Sequence, residues 1–179
     1  MLTKNTYYLL SAYLRRLTSG SYSTSGMIDA NGNDIGAQVV GNSSKPMDMF
    51  GMMTVPRNND MYGTQGGVWF GTGKTPARAT DFEMESPITD GSSLTIVSHT
   101  ADTTPVTCTV DETCMRITNT YELTNHTDAD IVISEVGLFG RCTSTLILLL
   151  DRTVLDEPIA IPPGETVPIS YEIKFPYGV

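Results

Sequence analysis

The residues with the most recognisable chemistry are Gly71-Thr72-Gly73-Lys74-Thr75. A glycine turn leading into lysine and threonine is how a phosphate-binding loop ends: backbone N–H groups and the lysine meet phosphate oxygens, and a helix begins at the lysine. The spacing fails that pattern. The first glycine belongs at position 68, which is Val68, and Gly67 lies one residue off. Pro76-Ala77-Arg78-Ala79-Thr80-Asp81 follows where the helix should start, so the segment reads as a loop and no nucleotide site is expected. A second candidate, Asp29-Ala30-Asn31-Gly32-Asn33-Asp34, places oxygen ligands at the first, third and fifth positions of a calcium loop. Its sixth position is Asp34 instead of glycine and its twelfth is Val40 instead of glutamate, so a polar β-turn is the better account.

The remaining inventory for catalysis is thin. His99 falls at the end of an expected strand and His126 in an expected hairpin turn, and neither neighbours a serine, cysteine or carboxylate in a nucleophile arrangement. Cys108, Cys114 and Cys142 are an odd count without C-x-x-C spacing and read as thiols in strands. The acidic pairs Asp128/Asp130 and Asp156-Glu157 read as turn residues on an acidic surface. Trp69-Phe70 reads as core, against a sugar-stacking platform. Asn42-Ser43-Ser44 and Asn125-His126-Thr127 match the glycosylation pattern, which has no meaning without secretion. No catalytic residue, cofactor or metal is expected, and the chain is read as a non-enzyme.

The elements that would position these residues are mostly strands. The 179 residues suffice for one domain with a proper core, with or without an appended arm. Thr, Ser, Gly and Val abound, which favours β structure. Val167, Ile169, Tyr171, Ile173 and Phe175 alternate with Pro168, Ser170, Glu172 and Lys174, the period of a strand with one face on a core. Ile161-Pro162-Pro163-Gly164-Glu165 is the turn before it. Met115, Ile117, Tyr121 and Leu123 share one face of another strand, opposite Arg116, Thr118, Thr120, Glu122 and Thr124, and residues 125–130 form its hairpin turn. Strands are expected over 67–71, 93–99, 105–110, 114–124, 131–139, 145–154, 158–161 and 166–175. Eight short strands with turns between them read as a sandwich or barrel.

Residues 3–18 carry the helical pattern, with Leu10, Tyr13, Leu14 and Leu17 on one side and Thr6 as a candidate cap. Residues 19–66 are loop-rich, with Met47, Met49, Met52, Met53 and Met61 gathered around Phe50. Methionine adapts to irregular surfaces, so a segment of this kind fits an arm that orders against a partner, and equally a loosely packed flank of the core. Charge is split: residues 1–80 hold seven basic and four acidic side chains, net +3, and residues 81–179 hold four basic and sixteen acidic, net −12. The acidic body argues against phosphate-backbone binding as the main task, so no direct nucleic-acid contact is expected. No apolar run is long enough to span a bilayer and no signal-peptide pattern opens the chain. The expectation is a soluble protein made in a cytoplasm, with no membrane partner.

The order of motifs over 67–175 resembles a family. Val68-Trp69-Phe70-Gly71-Thr72-Gly73-Lys74-Thr75-Pro76 is followed by residues 81–88 and then by the threonine-rich strand 117–125. Ile133-Ser134-Glu135-Val136-Gly137-Leu138-Phe139-Gly140 leads to Leu148-Leu149-Leu150-Asp151-Arg152-Thr153-Val154, and Pro163-Gly164-Glu165-Thr166 precedes the alternating strand. This series is similar to a β-sandwich module of structural proteins in tailed-bacteriophage virions. The resemblance covers about 60% of the chain. It implies an all-β, jelly-roll-like antiparallel sandwich over 67–179, with a helix and loop-rich docking arm over 1–66. It implies a structural virion component, present in several copies in the neck, collar or tail and assembled in the bacterial host cytoplasm. Its partners would be other copies of itself and other virion proteins such as portal, tail or capsid. The alternatives are a capsid decoration or head-fibre protein, and a carbohydrate-binding receptor module. The expected interface residues are Tyr7, Tyr8, Tyr13, Met47, Met49, Phe50, Met52 and Met53. Removing residues 1–60 is expected to leave a folded, monomeric sandwich. Glu135 breaks an otherwise apolar strand, and Arg152 or Arg141 on the following strand is its expected partner.

Overall fold

The computed structural model describes residues 1–8, 26–34, 67–106, 114–141 and 147–176. Six strands appear in chain order: β1 (Gly67–Gly71), β2 (Leu94–Val106), β3 (Cys114–Asn125), β4 (Ile131–Arg141), β5 (Ile147–Ile161) and β6 (Thr166–Pro176). They form two three-stranded sheets, β1-β4-β5 and β2-β3-β6. The described part is mostly strand in antiparallel sheets, with one short helix, α1, over residues 4–8, so the protein is all-β. The chain divides into two compact units, Met1–Gly91 with Val132–Ala160, and Ser92–Ile131 with Ile161–Val179. Among the described residues no helix is long and apolar enough to cross a membrane.

In the first unit the strands are apolar without alternation. Every residue of β1 is buried, as are residues 133–140 of β4 and 147–152 of β5. Consecutive buried residues point to opposite faces of a strand, so both faces are covered here. β1 runs antiparallel to β4 with Gly67 opposite Phe139 and Gly71 opposite Glu135. Trp69 stacks on Phe139 with ring centroids 4.2 Å apart, and Met84, Ile147 and Leu149 close that cluster with Ala30 against it.

The first residues of the chain are built onto β5. Leu2 bridges Asp151, the Thr3 N–H donates to the Leu150 carbonyl at 2.9 Å, and the Arg152 N–H donates to the Met1 carbonyl at 3.1 Å. Thr6 does not cap a helix start. It lies inside α1, and its hydroxyl donates to the Leu150 carbonyl. The buried Asn5 amide donates to the Ile28 carbonyl at 2.7 Å and accepts from the Ile28 N–H at 2.9 Å. A cut at residue 60 therefore also removes three buried polar side chains, Thr3, Asn5 and Thr6, that satisfy backbone groups of this unit.

In the second unit alternation is kept. Asn119, Tyr121, Leu123 and Asn125 of β3 are buried while Glu122 is exposed, and Ile169 and Tyr171 of β6 are buried between exposed Pro168, Ser170 and Glu172. β3 and β6 pair without a break from Cys114↔Pro176 to Thr124↔Thr166. The outward face carries hydroxyl pairs across the strands, Thr120 with Ser170 at 3.0 Å and Thr124 with Thr166 at 2.7 Å.

Two strand boundaries differ from expectation. The separate strands 93–99 and 105–110 are one strand as far as Val106, with register shifts between Ile96 and Ser98 and between Asp102 and Val106. The extra residues of these bulges disrupt the alternation on which a period-two reading depends. Likewise 145–154 and 158–161 are one strand, Ile147–Ile161, so Asp156-Glu157 sits in β5 and not in a turn. β5 is the outer strand of its sheet order, where Pro158 needs no ladder partner for its missing N–H.

Asn125 fixes the turn into β4. Its buried amide donates to the carbonyls of Ala129 at 2.7 Å and Ile161 at 2.8 Å, and its side-chain oxygen accepts from the Thr127 N–H and hydroxyl, each at 2.8 Å. The side chain that the glycosylation pattern would modify is thus enclosed and fully engaged. Replacing Asn125 by Ala takes this donor from the buried Ile161 carbonyl and should lower unfolding free energy by about 1–3 kcal/mol, read from the urea midpoint at constant slope.

Candidate functional site

Glu135 and Arg152 are the pair on which the first unit's polar chemistry converges. Glu135 lies in β4, on the same face as Gly137 and Phe139 by strand alternation, and is fully buried. Its Oε2 accepts from Arg152 Nε at 2.9 Å. Arg152, one of the two partners expected from the sequence, is thus an observed one.

The rest of the site comes from residues 72–93, the long connection between β1 and β2. Glu135 Oε1 accepts from the N–H groups of Ser86 at 2.7 Å and Gly73 at 3.3 Å, and Oε2 accepts from the Glu85 N–H at 3.2 Å. Arg152 Nη1 donates to Asp81 Oδ2 at 2.9 Å and Nη2 to Glu85 Oε2 at 3.4 Å. Glu85 Oε2 also accepts from the N–H groups of Lys74 at 2.7 Å and Thr75 at 2.6 Å, and Oε1 accepts from the Thr75 hydroxyl at 2.6 Å. Asp81 Oδ2 accepts from the Arg78 N–H at 2.9 Å. Three carboxylates and one guanidinium thus tie six backbone N–H groups of one loop to two strands. The loop is further held where Ile88 donates to the Phe70 carbonyl and Thr72 to the Ser86 carbonyl, both at 2.9 Å, and where the Lys4 N–H reaches the Ala79 carbonyl at 2.8 Å.

Two glycines make room for this. A Cβ at Gly71, directly opposite Glu135, would stand 2.6 Å from Glu135 Oε1, and one at Gly73 would stand 2.6 Å from the same oxygen and 2.7 Å from Glu85 Cβ. The glycines of the sequence that resembles a phosphate loop serve close approach here, and its N–H groups do bind anions. Those anions are the protein's own Glu85 and Glu135, and no helix follows Lys74.

Electrostatics follow from these contacts. Hydrogen bonds from the Thr75 hydroxyl and N–H, then from the Lys74 N–H, with Arg152 nearby, hold the Glu85 carboxyl below the usual glutamate range. Burial pushes Arg152 toward losing its proton, but bonds to Asp81 and Glu135 and their charges outweigh it, so the guanidinium is held more firmly protonated than usual. At the polar turn, burial pushes the Asp29 carboxyl up, and the hydrogen bonds from Asn33 and Asn31 overcome it to leave it below the usual range. Asp29 Oδ1 accepts from the N–H groups of Asn31 at 2.9 Å and Asn33 at 2.8 Å, so residues 29–34 form the turn expected of them.

Other candidates fall elsewhere. Trp69 is 3% exposed, in the core as expected and not a sugar platform. His126 Nε2 lies 2.7 Å from the Thr95 hydroxyl. Tyr7 and Tyr8 are 61% and 43% exposed on α1, and the Tyr8 ring lies over Gly26. Tyr13, Met47, Met49, Phe50, Met52 and Met53 lie outside the described residues, as do Cys108 and Cys142. Among the described residues no group of three or more His, Cys, Asp or Glu is placed to hold a metal ion. Asp81 and Glu85 were missed by sequence reasoning; their only signal was two acids, four residues apart, in a long connection that needed an anchor. No protein family, curated protein or solved structure matches this chain.

Arg152→Met leaves Glu135 buried without its cation and should cost about 3–5 kcal/mol in chemical unfolding, while Glu135→Gln should lower the melting temperature. Both Glu85 and Asp29 have folded pKa values below their ordinary ones, so the unfolded chain takes up more protons as pH falls. Their stability is present above ordinary values of 4.5 and 3.8 and is lost as pH drops through the lowered folded values. Urea midpoints should therefore fall on acidification below about pH 5, and more shallowly in Glu85→Gln.

Proposed function

We propose that this chain is a non-catalytic structural component of a tailed-phage virion, acting in multiple copies in the neck, collar or tail. In this reading the two sheets are layers of a jelly-roll-like sandwich, and the N-terminal region docks copies onto one another and onto portal, tail or capsid neighbours. The observation that carries the reading is the use to which the buried charges are put. Two segments of the ordered set that carries the resemblance, Glu135-Val136-Gly137-Leu138-Phe139 and Arg152-Thr153-Val154, supply the two halves of one ion pair. The Glu135 carboxylate of that pair accepts from backbone N–H groups of the 72–93 connection, an arrangement that stiffens a module and leaves its carboxylate oxygens occupied. Tyr7 and Tyr8 add exposed aromatic surface at the N-terminal side, of the kind enriched in protein interfaces.

The test is the solution mass of the full chain by light scattering, for wild type and for Tyr7→Ser/Tyr8→Ser. A wild-type oligomer that dissociates in the double variant, with an unchanged melting temperature, is the expected result. A full chain that stays monomeric at every accessible concentration sinks self-assembly through this surface.

A further inference from the structure

The contacts of Glu85 describe an anion site with its ligand in place. Its carboxylate sits on two successive backbone N–H groups, Lys74 and Thr75, at 2.7 and 2.6 Å, with the Thr75 hydroxyl at 2.6 Å and Arg152 Nη2 at 3.4 Å. Successive N–H groups aimed at one oxygen form a concave nest that binds anions through fixed partial charges. The two carboxylates of the loop differ in access. Glu135 is fully buried, while the Glu85 side chain is 41% exposed. Glu85 is also held by its backbone, whose N–H donates to Glu135 Oε2, and the neighbouring Ser86 N–H donates to Glu135 Oε1. The base of the loop therefore stays anchored when the Glu85 carboxylate leaves its nest.

We propose that the 73–75 turn and Arg152 form a carboxylate-binding site, occupied by Glu85 in the resting protein and open to a small external monocarboxylate in exchange. The charge around it sets the ligand class. The same guanidinium already carries Asp81 on Nη1 and Glu135 on Nε, so an incoming group that replaces one negative charge with one negative charge leaves the balance unchanged. A phosphate dianion adds charge beside two fixed carboxylates and binds less well. Glu85 competes as a tethered ligand at high effective concentration, so the wild-type chain takes up an external carboxylate only at concentrations well above those that fill the vacated nest. This inference does not depend on the virion reading.

The test uses acetate on the full chain at neutral pH, with sodium chloride at matched ionic strength as the control. In Glu85→Ala, acetate is expected to shift the Lys74 and Thr75 amide resonances saturably and to recover about half or more of the lost melting temperature. Wild type should show the same two shifts only at roughly tenfold or more higher acetate, and Glu85→Ala/Thr75→Val should bind several-fold more weakly than Glu85→Ala. Glu85→Ser, whose side chain is too short to fill the nest, replaces Glu85→Ala if the latter does not fold. Equal stabilisation by chloride, tighter binding of phosphate than acetate, or no response of the Lys74 and Thr75 amides in either variant or wild type overturns the proposal.

Discussion

A carboxylate removed from water must find nearly all of its hydration again inside the protein, and the first unit is arranged around that requirement at Glu135. Taking an ion out of water costs several kcal/mol even after relaxation, and a single opposite charge repays it only when the remaining lone pairs are also satisfied. Glu135 meets the condition with Arg152 on one oxygen and N–H groups of Gly73, Glu85 and Ser86 shared between both. The demand runs outward from there. Arg152 is nearly buried as well and needs partners for its other nitrogens, which brings in Asp81 and Glu85. Those carboxylates in turn collect the amides of Lys74, Thr75 and Arg78. A loop too long to be ordered by its ends alone is thereby given an interior.

The same residue joins two otherwise separate segments. The Arg152 side chain organises residues 72–88, and its backbone N–H meets the Met1 carbonyl. Residues 86–88 lie along β1, where Gly71 bridges Pro87, and Leu2 lies along β5, where it bridges Asp151. Both outer strands of this sheet are thus covered over part of their length, which removes the exposed ladder groups that would otherwise pair with another chain.

What the sequence made legible is what local pattern controls. β1 falls where it was expected, because Val68-Trp69-Phe70 is bounded by glycines. The alternation over 119–123 and 168–172 reads directly as one wet and one dry face. Glu135 was legible because a charge inside an apolar run demands a partner, and Arg152 was one of the two basic residues offered for it. Asp81 and Glu85 were not, since their one signal, a spacing of four in a long connection, does not distinguish an acid that binds a buried guanidinium from one facing water. The continuity of β5 through Asp156-Glu157-Pro158 was hidden for a similar reason. Those residue types mark turns, and only the outer position of the strand tolerates them. Thr6 was read for its local role as a cap, and a tertiary partner, the Leu150 carbonyl, claimed its hydroxyl.

The pairing of distant segments bears on how the protein is made. β3 finds β6 some forty to sixty residues later in the chain, and Leu2 meets Asp151 only after most of the chain has been synthesised. Contacts this distant in sequence close slowly, because loop-closure entropy is spent before they form. Neither sheet can be completed on a growing chain until its last strands have left the ribosome. Until then the apolar runs of β1 and β4 are without their final neighbours, so folding is a race between chain completion and association with other nascent chains. A protein with this topology is therefore most vulnerable at high expression rate, and a low number of unfinished chains present together, at a temperature that weakens apolar association, is the condition that favours its native form.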